Sequence, residues 1–108
     1  MATTNDVREA GRALRDSLQA KGDDGTFDPD DSADFRDIHD GLVRRLDAFA
    51  SSPAHGASSP QYDSFVALAQ TAKTSVDGCT PTSAASISKA KANSQSASNA
   101  LPPITGGH

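Results

Sequence analysis

Phe35, Ile38, Leu42, Leu46 and Phe49 follow one another at intervals of three, four, four and three residues. That spacing lays a single apolar stripe along one face of an α-helix. It is incompatible with a strand, whose apolar face needs every second residue. Asp28-Pro29 opens the run as N-cap and first helical residue. Asp30, Asp31 and Asp34 then place negative charge at the positive end of the helix dipole, and Arg44 and Arg45 place cations near the other end. Pro53 limits the helix.

Three further segments show the same periodicity, and no stretch alternates in the manner of a half-buried strand. Val7, Ala10 or Gly11, Leu14 and Leu18 predict a helix over about 4–21, capped by Thr3, Thr4 or Asn5 and stopped at Lys21-Gly22 by a left-handed glycine. Ser59-Pro60 opens a third helix carrying Tyr62, Phe65, Val66, Ala69, Ala72 and Val76, with Leu68 broadening the seam and Gly78 closing it. Ser51 to Ser58 reads as a Ser/Ala/Gly loop. Thr80-Pro81 repeats the cap signature before a run in which Ala84, Ile87, Ala90, Lys91, Ser94 and Ala97/Ser98 share a face. Alanine favours that helix and serine opposes it, so it reads as weak. Pro102-Pro103 ends it, and Ile104 to His108 reads as an extended tag.

The expected fold is all-α: a small three- to four-helix bundle with a Ser/Ala-rich C-terminal helix and an extended tail. Residues 1–78 form a helical body, with helices about 4–21, 29–51 and 60–77; residues 79–108 supply a weak helix, about 82–101, and the tail. The predicted core is Val7, Leu14, Leu18, Phe35, Ile38, Leu42, Leu46, Phe49, Phe65, Val66, Ala69 and Val76.

Leu, Ile, Val and Phe occupy only 17 of 108 positions, and 14 of them fall within residues 1–77. So little large apolar surface strains the balance between burial and ordering entropy in a chain of this length. Charge is as uneven as hydropathy. Eight acids and one base, Arg36, lie between Asp23 and Asp40, whereas no acid follows Asp77. The net charge of −4 argues against a binder of double-stranded nucleic acid, which needs a basic face. No apolar run approaches the roughly 18 residues that span a bilayer, so no membrane partner is expected. Met1 to Asp6 lack a basic and then apolar segment, which predicts no secretory signal and a cytoplasmic or virion-associated location. A single cysteine, Cys79, excludes an intrachain disulfide or a cysteine-based zinc cluster and reads as a buried thiol at a helix junction.

The acidic segment is the one concentration of chemistry. Asp23, Asp24, Asp28, Asp31 and Asp34 form a candidate surface for a protein partner. They fit a calcium loop poorly. With Gly25 as the central glycine, Ala20 and Gly22 fall where ligands belong; starting at Asp28, there is no central glycine and His39 falls at the last position. His39, His55 and His108 lack metal-ligand spacing, and Arg8, Arg12 and Arg15 share a helix face with Glu9 and Asp16 interleaved. Asp16-Ser17-Leu18, and more distantly Asp31-Ser32, resembles the Asp-Ser-Leu at the modified serine of acyl carrier proteins. That family sets its serine at the start of the second helix; Ser17 falls inside the first, and Ser32 is followed by Ala33.

No nucleophile, base and orienting group can be assembled from these residues, and no cofactor motif is present, so no enzyme activity, cofactor or metal is expected. The leading expectation is a structural or adaptor subunit of a larger protein assembly, homo- or hetero-oligomeric, for which a phage virion accessory protein of the capsid, neck or tail is an example. The alternative is a regulatory binding module, inhibitor-like or chaperone-like, that uses the acidic Asp23–Asp40 surface.

Overall fold

In the computed structural model the described residues are 2–51 and 60–101, and among them the chain forms four helices and no strand. These are α1 (Thr4–Asp23), α2 (Pro29–Ser51), α3 (Pro60–Gly78) and α4 (Ala84–Ala100). The Ser/Ala/Gly loop, the Ser59 cap, His55 and the tail beyond Leu101 lie outside the described residues.

Polar side chains start each helix whose cap is described. Thr3 accepts from the Asp6 amide at 3.3 Å while Asp6 Oδ2 accepts from the Thr3 amide at 2.8 Å, a reciprocal capping box. Asp28 Oδ1 accepts from the Asp30 amide at 2.8 Å, and Pro29 takes the first helical position, where its missing N–H costs nothing. Two boundaries differ from expectation. Thr80-Pro81 does not cap α4. It forms a turn closed by the Ser83 amide on the Thr80 carbonyl at 3.2 Å, and Ser83 caps the helix through the Ser86 amide. Proline's fixed φ suits the second position of a turn as well as a first helical residue, so the dipeptide alone does not distinguish them. Gly22 does not stop α1 with a left-handed residue either, because no described glycine has positive φ. Instead α1 runs on through Gly22 to Asp23, two residues past the expected end, and a Cβ on Gly22 would lie 2.7 Å from Arg36 Cγ. The glycine admits a neighbouring helix.

Gly11 has the same use, since a Cβ there would collide with the Leu46 side chain. These two contacts place α1 antiparallel to α2. Asn93 donating to Ser75 Oγ at 3.1 Å sets α3 against α4. The two hairpins then lie side by side. The Ala2 amide donates to Asp63 at one end of the α1/α3 seam, and Lys21 Nζ reaches the Cys79 carbonyl at 3.2 Å at the other, so these helices run parallel. Likewise α2 runs parallel to α4, joined by Lys91 to Asp34 and Arg45 to Ser98. The pairs α1/α4 and α2/α3 stand on the diagonals.

Phe35, Phe49, Phe65, Leu14, Leu18, Leu42, Val7 and Val76 are fully buried along the axis. Phe27, in the α1–α2 connection and absent from the predicted core, packs edge-on against Phe35 with centroids 5.6 Å apart. Tyr62 meets Phe49 in the same way at 5.8 Å. The segment after residue 78 is part of this core: Ile87, Ala90, Ala97 and Leu101 are buried in it. Ile38 and Val66, read as core, are only half-buried at its edge. Each lines a trough where parallel helices meet: Ala10 and Ala13 line the one at Val66 and are too short to close over it, and Ser88, Lys91, Ala92 and Gln95 line the one at Ile38.

Leu42 is fully enclosed. Leu42→Ala is expected to cost about 2–5 kcal/mol, read as a lower urea midpoint with an unchanged slope. A loss below about 1 kcal/mol would show that the core relaxes around the deletion.

Candidate functional site

The five carboxylates of the predicted partner surface do not converge on a point. They serve four separate contacts within the chain, Asp31 and Asp34 sharing one. Asp24 Oδ1 accepts from the Thr26 amide at 2.9 Å and the Thr26 hydroxyl at 2.7 Å, folding the α1–α2 connection into an Asx turn. Those bonds, the amide first and the hydroxyl second, hold the carboxyl below its usual range. Asp28 caps α2. Asp23 stands 4.0 Å from Arg36, with both side chains largely in water. Asp31 and Asp34, one helical step apart, grip Lys91 Nζ at 2.5 and 2.8 Å.

That grip is the strongest polar link between α2 and α4. Burial pulls the Lys91 pKa down, but the hydrogen bonds from Asp31 and Asp34 outweigh it and leave the ammonium above its usual range. The same ammonium lies 5.9 Å from the centre of the Phe35 ring. The sequence had placed Lys91 only on the small-residue face of α4. Its signal was the i, i+4 relation to Ile87 on a helix without a single acid of its own.

Other candidate groups take structural places. Cys79 is buried at the α3–α4 junction, and burial pushes its thiol pKa up. The acyl-carrier resemblance meets an obstacle in burial: Ser17 is 8% exposed and Ser32 is 7% exposed. Ser17 hydrogen-bonds Asp77 instead. Burial raises the Asp77 pKa, but the bonds from Lys73, at 2.5 Å, and Ser17 more than offset it and hold the carboxyl low. Arg15 turns to its neighbour Asp16 at 3.0 Å, and His39 to Asp40 at 3.0 Å. Among the described residues no cluster of three or more His, Cys, Asp or Glu side chains is arranged to hold a metal ion, and no helix is long and apolar enough to cross a membrane.

A wide concavity lies elsewhere, in the seam between α1 and α3. It is an open trough of about 580 Å³. Ala10, Ala13, Val66 and Ala67 line it, and Asp6, Glu9 and Asp63 stand in its wall with no Lys or Arg among the lining residues. Small side chains at Ala10 and Ala13 leave it open, and the half-buried Val66 supplies its apolar floor. The sequence contained this signal as the i, i+3, i+4, i+7 series Asp6, Glu9, Ala10 and Ala13, which reads equally as the outer face of an amphipathic helix. No family model, no curated protein and no solved structure matches the chain.

The perturbed groups define the pH response. Asp77 and Asp24, lowered from 3.8, contribute stability above that value and lose it as pH falls through their folded values, below 3.8. Lys91, raised from 10.5, contributes below that value and loses its share as pH rises through its higher folded value. Melting temperatures from pH 2 to 11, taken as about 1-unit steps, are expected to fall at both extremes. Asp77→Asn should flatten the acid limb slightly, by under about 1 kcal/mol because the side chain is half-exposed. Lys91→Met should flatten the alkaline limb.

Proposed function

We propose that this chain is a non-enzymatic adaptor or structural subunit that docks a helix of another protein along the α1/α3 trough. The observation that carries the reading is the trough itself: an alanine- and valine-lined channel between parallel helices, walled by three carboxylates and by no base. A helix laid into it would pack on α1 and α3 as a further member of the bundle, in the helix-in-groove mode. Charge complementarity selects the occupant. Basic residues flanking a narrow apolar stripe would meet Asp6, Glu9 and Asp63. An assembly subunit, of which a virion accessory protein is one instance, fits a chain whose polar chemistry is spent on holding its own helices together.

The acidic Asp23–Asp40 surface supports this role less well. The concavities that its residues line include bases, Arg36 in one and Lys91 in another, whereas the lining residues of the α1/α3 trough include none.

A designed amphipathic peptide of about 18 residues, with an Ala/Leu stripe flanked by lysines, tests the proposal against its glutamate-flanked counterpart. The lysine peptide is expected to bind and to shift the amide resonances of Ala10, Ala13, Val66 and Ala67. Ala13→Arg should weaken it by about tenfold or more, and Asp37→Arg, on the α2/α4 side, should not. Equal binding of the two peptides, or shifts confined to residues 23–40, would overturn the reading.

A further inference from the structure

The seam between α2 and α4 is built from small and polar residues on its α4 side. On its α4 side the core-facing residues after Ile87 are Ala90, Ser94, Ala97 and Ser98, all buried. Alanine and serine remove little apolar surface from water, so docking this face gains little by burial. Ser94 makes matters worse. Its side chain is 0% exposed and its hydroxyl has no hydrogen-bond partner, so closing the seam strips that group of water and returns nothing.

What draws α4 to α2 is polar. Lys91 holds Asp31 and Asp34 near one end, and Arg45 Nη1 donates to Ser98 Oγ at 2.8 Å near the other. A second open trough lies at the Lys91 clasp, lined by Asp34 and Lys91 themselves and by half-buried Ile38 and Ala92. The α3/α4 seam differs in its tether: it is a hairpin closed by a short connection and bonded by Asn93 to Ser75, with an open trough of its own between Thr71 and Lys89.

We propose that the α2/α4 seam is a latch, and that it opens as a unit below global unfolding when Lys91 lets go of Asp31 and Asp34. Opening hydrates the Ser94 hydroxyl and bares the edge of the core at Ile38 and Leu42, while α3 stays against α1. The latch answers to charge: a competing polyanion or a modified Lys91 releases it, and loss of the lysine charge leaves it ajar. This inference is independent of the α1/α3 docking site.

Thiol labelling reads the latch directly. In a Cys79→Ser background, Ser94→Cys puts a thiol behind the seam, and Ala72→Cys puts one in an equally enclosed position on α3. The Ser94→Cys protein is expected to react with a thiol reagent about tenfold faster than the Ala72→Cys protein. Adding Lys91→Met should raise the first rate about tenfold further and leave the second within about twofold. Hydrogen exchange of the unmodified chain provides a measurement without substitutions: α4 amides should exchange faster than those of α1 and α3, and faster still in Lys91→Met. Equal labelling rates that respond together to Lys91→Met, or α4 amides protected to the same degree as α1 and α3, would mean that the seam opens only with the whole bundle, and would overturn the proposal.

Discussion

Three fully buried phenylalanines, Phe35 and Phe49 on α2 and Phe65 on α3, set the terms on which the bundle closes. They are most of the aromatic bulk the chain owns, and they sit on diagonally opposed helices. Close packing around them demands that the intervening helices come near, since a void beside a ring forfeits its dispersion contacts. The chain meets this demand with small residues. Gly11 admits Leu46, Gly22 admits Arg36, and α4 presents alanine and serine. A composition poor in large apolar side chains is thus compatible with a closed core, provided the helices that lack them are thin.

The same economy leaves marks on the surface. Where parallel helices meet, a trough remains on each side, floored by Val66 in one and edged by Ile38 in the other. The antiparallel seams are tied by short connections, and the parallel ones by long-range polar contacts at their ends. One such contact, Lys91 with Asp31 and Asp34, takes up two of the acids that look free in the sequence.

Periodicity and capping made the helices legible. The stripe from Phe35 to Phe49 and Asp28-Pro29 each act within a few residues, so local physics is sufficient to read them; at α1 it narrowed the cap to Thr3, Thr4 or Asn5. Less legible were positions whose meaning depends on a distant neighbour. Phe27 looks like a loop residue until Phe35 is beside it, and Gly22 looks like a stop until Arg36 crosses it. Ile38 and Val66 have the same spacing as true core residues; their partial exposure follows from the troughs left where their helices meet parallel neighbours. For the acidic segment, counting charges located the cluster but not its partner, because Lys91 lies 57 residues from Asp34 along the chain.

The sequence by itself determined that this chain is helical, where three of its helices begin, and which residues form most of the core, since apolar spacing and cap chemistry are short-range properties. The tertiary structure decided which carboxylates are spent, which serine hydroxyl is stranded in the core, and where the surface stays open. Those outcomes depend on the order in which four helices stand around an axis. That order is set by how large and small side chains from distant segments fit together, and no local pattern encodes it.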